Sequence, residues 1–212
     1  MTDSALEAPH LLTILHQHAI VHGDATCHLL PDRVITYRRF WARIERASAR
    51  LQGEWGIAQN DTVAYVGQGH PDALVLYFAL LRIGARLLPL ERPGLPQEDA
   101  ILLHRPALVL YDDVRPDIDL PSSPLHGLLA LWCTHDPYPL IDDVLSPSLW
   151  LVVDDQWRAF CLEELCTVMA DSPRTARVGS ALFTQQVLCE LILPSLYLAR
   201  PLQFERTTFT LR

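Results

Sequence analysis

From residue 62 onward, short apolar runs alternate with helical patterns, and that order constrains the fold more than any other feature of the chain. Thr62–Val66 reads as a buried strand. His70-Pro71-Asp72 opens a helix with proline in its first turn, and Gly84 closes it. Residues 87–90 and 107–111 are further strands, with a short helix at 97–104 between them. A β-α-β-α-β order predicts parallel strands joined by helical crossovers, so the expected class is α/β, a mainly parallel sheet flanked by helices.

The flanking regions carry their own signals. Residues 11–22 form a short helical pattern, and 26–37 resemble a hairpin turning at Pro31-Asp32. Phe40, Ile44, Ala47 and Leu51 then recur at helical spacing beside Arg38, Arg39, Arg43, Arg46 and Arg50, an amphipathic helix that Gly53 or Gly56 ends. Further on, 148–153 reads as a strand, Asp154-Asp155-Gln156 as a tight turn, and 157–161 as a strand pairing back. A helix to about residue 170, a longer helix over 181–199 and a last strand around Gln203 complete the pattern.

Charge divides the chain. Nine Asp and one Arg between residues 112 and 155 carry the whole net charge of −8, and the rest balances at 16 against 16. Pro116, Pro121, Pro124, Pro137, Pro139 and Pro147 punctuate that stretch. The expected organisation is therefore a first α/β part over 1–112, an acidic connection over 113–148, and a second part over 149–212 that completes the same domain. Within the connection only residues 125–133 are apolar enough to dock on a core. The Arg-rich helix face is either solvated, a docking face for an acidic partner such as an acyl carrier protein, or covered by the acidic connection.

All 17 cationic side chains are arginine. A chain without lysine has no Schiff-base amine, Walker lysine or Ser-Lys dyad, because arginine stays charged at any working pH. Net acidity disfavours nucleic acid and anionic membrane surfaces, and no apolar stretch approaches the roughly 18 residues of a spanning helix. The N-terminus lacks the pattern of a signal peptide. Five cysteines without C-x-x-C spacing fit free thiols in a reducing cytoplasm.

The order of motifs resembles the N-terminal domain of the adenylate-forming ligases, the AMP-dependent synthetases that include acyl-CoA synthetases and nonribosomal adenylation domains. Ile35-Thr36-Tyr37 with Phe40, then Gly56 with Asn60-Asp61-Thr62-Val63-Ala64, then Gly84-Ala85 with Leu88-Pro89-Leu90, then the strand at 108–112 are similar to that family's scaffold motifs. The resemblance implies an ATP-binding phosphate loop rich in glycine and hydroxyls with a lysine, set between a strand and its partner. At that place stand only Asp154, Asp155 and Gln156, and no glycine occurs between Gly127 and Gly179. Two carboxylates repel a triphosphate, so ATP binding is not expected, and neither is any cofactor. The family's later motifs would lie beyond Arg212.

Other candidates are weaker. Gly67-Gln68-Gly69 lacks the third glycine of a dinucleotide fingerprint, with Asp72 in its place. His18 and His22, with His16 and His10 nearby, have a spacing that can bind a metal but no evident third ligand. Cys133-Thr134-His135-Asp136 packs triad residue types too closely in sequence to converge, and Ser180 lacks a nucleophile elbow. The expectation is a non-catalytic ligase relative acting as a binding or assembly subunit, its partner a ligase, an acyl carrier protein or itself. The alternative is the N-terminal subunit of a split ligase whose ATP-binding segments lie on another chain.

Overall fold

The computed structural model describes residues 11–31, 33–90, 97–112, 115–117, 119–126, 148–153, 156–161, 176–178 and 182–204. They form two sheets. The larger has six strands, β3 (Thr62–Val66), β4 (Arg86–Leu90), β5 (Leu108–Tyr111), β6 (Ser122–Pro124), β7 (Ser148–Val153) and β8 (Gln156–Cys161), in the order β6-β5-β3-β4-β7-β8. All its pairings are parallel except the β7–β8 hairpin. The smaller sheet has the order β2-β1-β10-β9, from β1 (Thr26–Leu29), β2 (Val34–Thr36), β9 (Ala176–Val178) and β10 (Leu202–Phe204). The small sheet therefore joins early strands to late ones, while the large sheet is built from the middle of the chain.

Helix α1 is Leu11–Val21, α2 Tyr37–Trp55, α3 Asp72–Ile83 and α4 Gln97–His104. Thr36 caps α2 by accepting the Arg39 N–H, and Gly56 at φ 64° closes it, which resolves the choice between the two glycines. The left-handed conformation costs a residue with a side chain more than it costs glycine. Nearly every residue of α3 is buried. A helix that is apolar all round has to be enclosed, and the main core packs it among α2, one face of the large sheet and residues of the small sheet such as Ala176 and Phe204. A second cluster, with Ala64, Val66, Leu88 and Val109, joins the opposite face of the large sheet to Ala100 and Ile101 of α4.

The structure departs from the sequence reading in four places. The acidic connection is not loop throughout, because Ser122–Pro124 adds to β5 as a parallel edge strand and Leu125 is buried behind it. Strand β9 was not foreseen. The helix expected at 181–199 begins only at α5 (Gln185–Val187), where the Thr184 hydroxyl accepts the Val187 N–H. It then widens to a π-turn over Leu188–Ile192 before α6 (Leu193–Tyr197). Pro194 supplies the cause: it has no N–H to donate, and the wider turn accommodates its ring while Leu193 N–H reaches back to Leu188. Finally, Gln156, expected in the turn after β7, is the first residue of β8 and pairs with Val153, which extends the hairpin by one register pair. The helix expected up to residue 170 lies outside the described residues.

Candidate functional site

In open α/β sheets ligands bind beyond the C-terminal strand ends, where successive connections leave in opposite directions. Here the chain passes from β3 to β4 on one side and then to β5 on the other, so the switch point lies between β3 and β5. Register sets Val66 beside Tyr111 there. The Tyr65 hydroxyl donates to Asp112 Oδ2 at 2.7 Å, and the Gln68 N–H donates to the same oxygen at 3.1 Å. The His70 N–H donates to the Tyr65 oxygen at 3.0 Å, and the Asp72 N–H to His70 Nδ1 at 3.1 Å. A Cβ built at Gly67 would overlap both the Asp112 carboxylate and the Tyr65 hydroxyl. The first glycine of the Gly67-Gln68-Gly69 motif thus serves this carboxylate rather than a dinucleotide. Donors that could have faced an anionic ligand are occupied by the chain's own Asp112.

Beside this network lies a buried ion pair. Arg43 of α2 reaches Asp72 at the start of α3 with N···O 2.8 Å, both side chains largely buried. Burial alone would raise the Asp72 carboxyl. The hydrogen bond and charge of Arg43, with His70 and Arg33, outweigh it and hold the group below its ordinary value. His28 of β1, 1 % exposed, packs against Phe40 and Phe204, and its Nε2 has no hydrogen-bond partner among the described residues. Burial drives the His28 ring down to about 3, opposed by Asp72 and reinforced by Arg43. Deeper in the core the Cys27 thiol is raised by burial, its hydrogen bond with Tyr37 opposing.

The arginine face expected on α2 is divided. Arg43 is committed to Asp72, Arg50 grips Glu54 through two contacts of 2.7 and 2.8 Å, and exposed Arg38 lies 3.5 Å from Asp24. Arg39 and Arg46 are exposed. Among the described residues no carboxylate of the acidic connection ion-pairs with this face. The His18 Nε2–H donates to the Tyr197 carbonyl of α6 at 2.9 Å, so that nitrogen is engaged, and His16 stacks on Trp41. Among the described residues no group of three or more His, Cys, Asp or Glu is arranged to hold a metal ion. No helix among them is long and apolar enough to cross a membrane. His10, Cys133-Thr134-His135-Asp136 and Ser180 lie outside the described residues.

At the place of the expected phosphate loop, β7 and β8 pair antiparallel from Ser148 with Cys161 to Val153 with Gln156. Asp154 and Asp155, which join them, lie outside the described residues. The span itself is two residues, too short for the loop of successive N–H groups that encloses a phosphate. The sequence reading placed three residues here, Asp154, Asp155 and Gln156, one more than the two that join the strands. It missed Tyr65, Asp112, His28 and the Arg43–Asp72 pair, and only the unusual placement of Asp72 in the Gly67-Gln68-Gly69 context hinted at them.

Residues 15–103 match the family described as AMP-binding enzyme. An indoleacetate–CoA ligase of Aromatoleum aromaticum is 30% identical over 102 residues, which is 48% of this chain and 20% of the ligase. Phosphinothricin tripeptide synthetase PhsC of Streptomyces viridochromogenes is 36% identical over 85 residues, 40% of this chain and 8% of the synthetase. The matches thus span a fifth or less of these relatives. Among solved structures, the N-terminal subdomain of Klebsiella oxytoca NpsA in complex with anthranilyl-AMSN superposes with TM-score 0.74 at 17% identity, covering 99% of this chain and 56% of that one. Unliganded O-succinylbenzoate coenzyme A synthetase of Bacillus subtilis gives 0.72 at 11% identity, covering 91% and 45%. The fold is that of the N-terminal part of adenylation domains.

Proposed function

As a relative of the adenylate-forming, AMP-binding enzymes, this chain is, we propose, a non-catalytic binding or assembly subunit in an acyl- or aryl-acid activating pathway of the cytoplasm. One observation carries the reading: the scaffold is kept, while the strand pair that should hold a phosphate loop is joined by two residues, both aspartate. A triphosphate there would meet carboxylates in place of N–H donors and a lysine. Surface supports a partner. Ile20 and Val21 are 67 and 70% exposed, and Leu102 and Leu103 are 65 and 73% exposed, as two adjacent apolar pairs. Isothermal titration of the chain with ATP, and with a non-hydrolysable acyl-adenylate analogue, is expected to give no heat of binding. Low-micromolar binding of either would overturn the reading.

In a second reading the same apolar pairs contact a polypeptide that supplies the ATP-binding segments of a split ligase. Adenylate formation by the reconstituted pair, absent from either chain alone, would favour it.

A further inference from the structure

Five arginines stand on α2, and packing sorts them. Arg43 turns to Asp72 of α3, Arg50 to Glu54, and Arg38 rests beside Asp24. Arg39 and Arg46 are exposed, and neither enters an ion pair among the described residues. The core face of the helix, with Phe40, Ile44, Ala47 and Leu51, lies on the other side.

Arg39 and Arg46 are two helical turns apart, about 10.5 Å along the axis. Ala42, Ala49 and Gly53 continue the same line, so that 39, 42, 46, 49 and 53 advance by three and four residues in turn. That is the spacing of a seam along which a second helix packs. Nothing bulky stands on it between the two guanidinium groups, and a Cβ at Gly53 would meet nothing within 4 Å.

We propose that the outer face of α2 docks a helix of a partner polypeptide, and that this helix carries carboxylates seven residues apart, one for each of Arg39 and Arg46. Charge complementarity selects the partner. The whole chain carries −8, so an acidic partner is repelled in general and attracted at this face, which fixes the orientation of docking. A nucleic acid meets the same repulsion with its charges spread beyond two arginines. A second copy of the chain does not match among the described helices. α1 has no carboxylate, and α3 has only the buried Asp72. Glu45 and Glu54 of α2 are nine residues apart and already face Arg82 and Arg50. In α4, Glu98 and Asp99 are adjacent. The proposal rests on the assembly reading above and specifies the contact.

The test uses the full chain with a fluorescent alanine-rich helical peptide bearing two glutamates seven residues apart. A second peptide has the same composition with its glutamates five residues apart, on different faces. By anisotropy at low salt the first is expected to bind about tenfold more tightly than the second. Joint Arg39→Glu and Arg46→Glu substitution is expected to weaken the first peptide by about tenfold and to keep the thermal midpoint, since both side chains are exposed. A peptide with lysines at the two glutamate positions is expected to bind that variant and not the unaltered chain. The proposal is overturned if the first peptide does not bind, if both spacings bind alike, or if the double variant keeps its affinity. It is also overturned if an RNA oligonucleotide displaces the peptide at equal concentration, or if the chain sediments as a dimer that the double variant dissolves. The comparison of spacings needs no variant to fold. Peptide failure without ATP binding sinks this inference alone, whereas ATP binding alongside peptide capture sinks the non-catalytic reading and keeps the docking face.

Discussion

Acidic residues follow two strands at the same end of the large sheet, and the two sets stand in different company. After β5, Asp112 receives the Tyr65 hydroxyl and the Gln68 N–H, and Gly67 is bare to let it in. After β7, Asp154 and Asp155 fill a two-residue span with no glycine within twenty positions on either side. The contrast teaches that the fold accepts a carboxylate at a strand end when neighbouring strands lend donors to it. A ligand anion needs the same donors from a loop, and shortening the loop removes them. Asp72 is the harsher case, a carboxylate taken into the interior and held there by Arg43.

That contrast breaks most visibly at the buried pair. Arg43→Met leaves Asp72 buried without its cation, and unfolding in urea is expected to show a loss of about 3–5 kcal/mol. The loss should shrink greatly when Asp72→Leu is added, since removing both partners leaves no stranded charge. A loss under about 1 kcal/mol for Arg43→Met alone, within the range of exposed pairs, would mean that solvent rather than Arg43 supports Asp72.

A smaller effect comes from His28, which sits in the field of the same pair. The folded chain keeps it neutral to about 3, while the unfolded chain protonates near the ordinary 6.5. Stability from this group is complete above 6.5 and is lost as pH falls toward 3, by about 1.4 kcal/mol per pH unit. Asp72, with its value lowered from 3.8, acts in the same direction but only below that pH. Denaturation midpoints measured between pH 6.5 and 3.8 therefore isolate His28 from this pair. His28→Gln should flatten the slope in that window, and an unchanged slope would assign the acid sensitivity elsewhere.

The smallest effect is expected at the turn. Replacing Asp154 and Asp155 by Ser and Gly should change stability by no more than about 0.5 kcal/mol and should not create ATP binding. If ATP bound to that variant, charge rather than span would be what bars it.

Much of the first half was legible because its signals are local. Thr62–Val66, the capped α2 and the apolar α3 each declare themselves within a dozen or so residues, through period, cap and closing glycine. β6 and β9 could not be read this way. Ser122-Ser123-Pro124 has no strand propensity and becomes a strand only because β5 offers it an edge. The polar network was hidden for a related reason: Tyr65 and Asp112 are far apart in sequence, and only the β3–β5 register brings them together. The arginine stripe was visible as a pattern, yet the buried Asp72 that claims Arg43 sits on another helix.

The small sheet also sets a schedule for synthesis. β1 pairs in parallel with β10, His28 beside Leu202, so an early strand meets its inner neighbour only after about 170 further residues have been made. At cellular elongation rates that interval is roughly 10–35 s. Throughout it the β1–β2 hairpin and the aromatic surroundings of His28 lack Phe204. The long loop closed by this pairing makes its formation late and slow, so the growing chain carries an open apolar seam that the finished one closes.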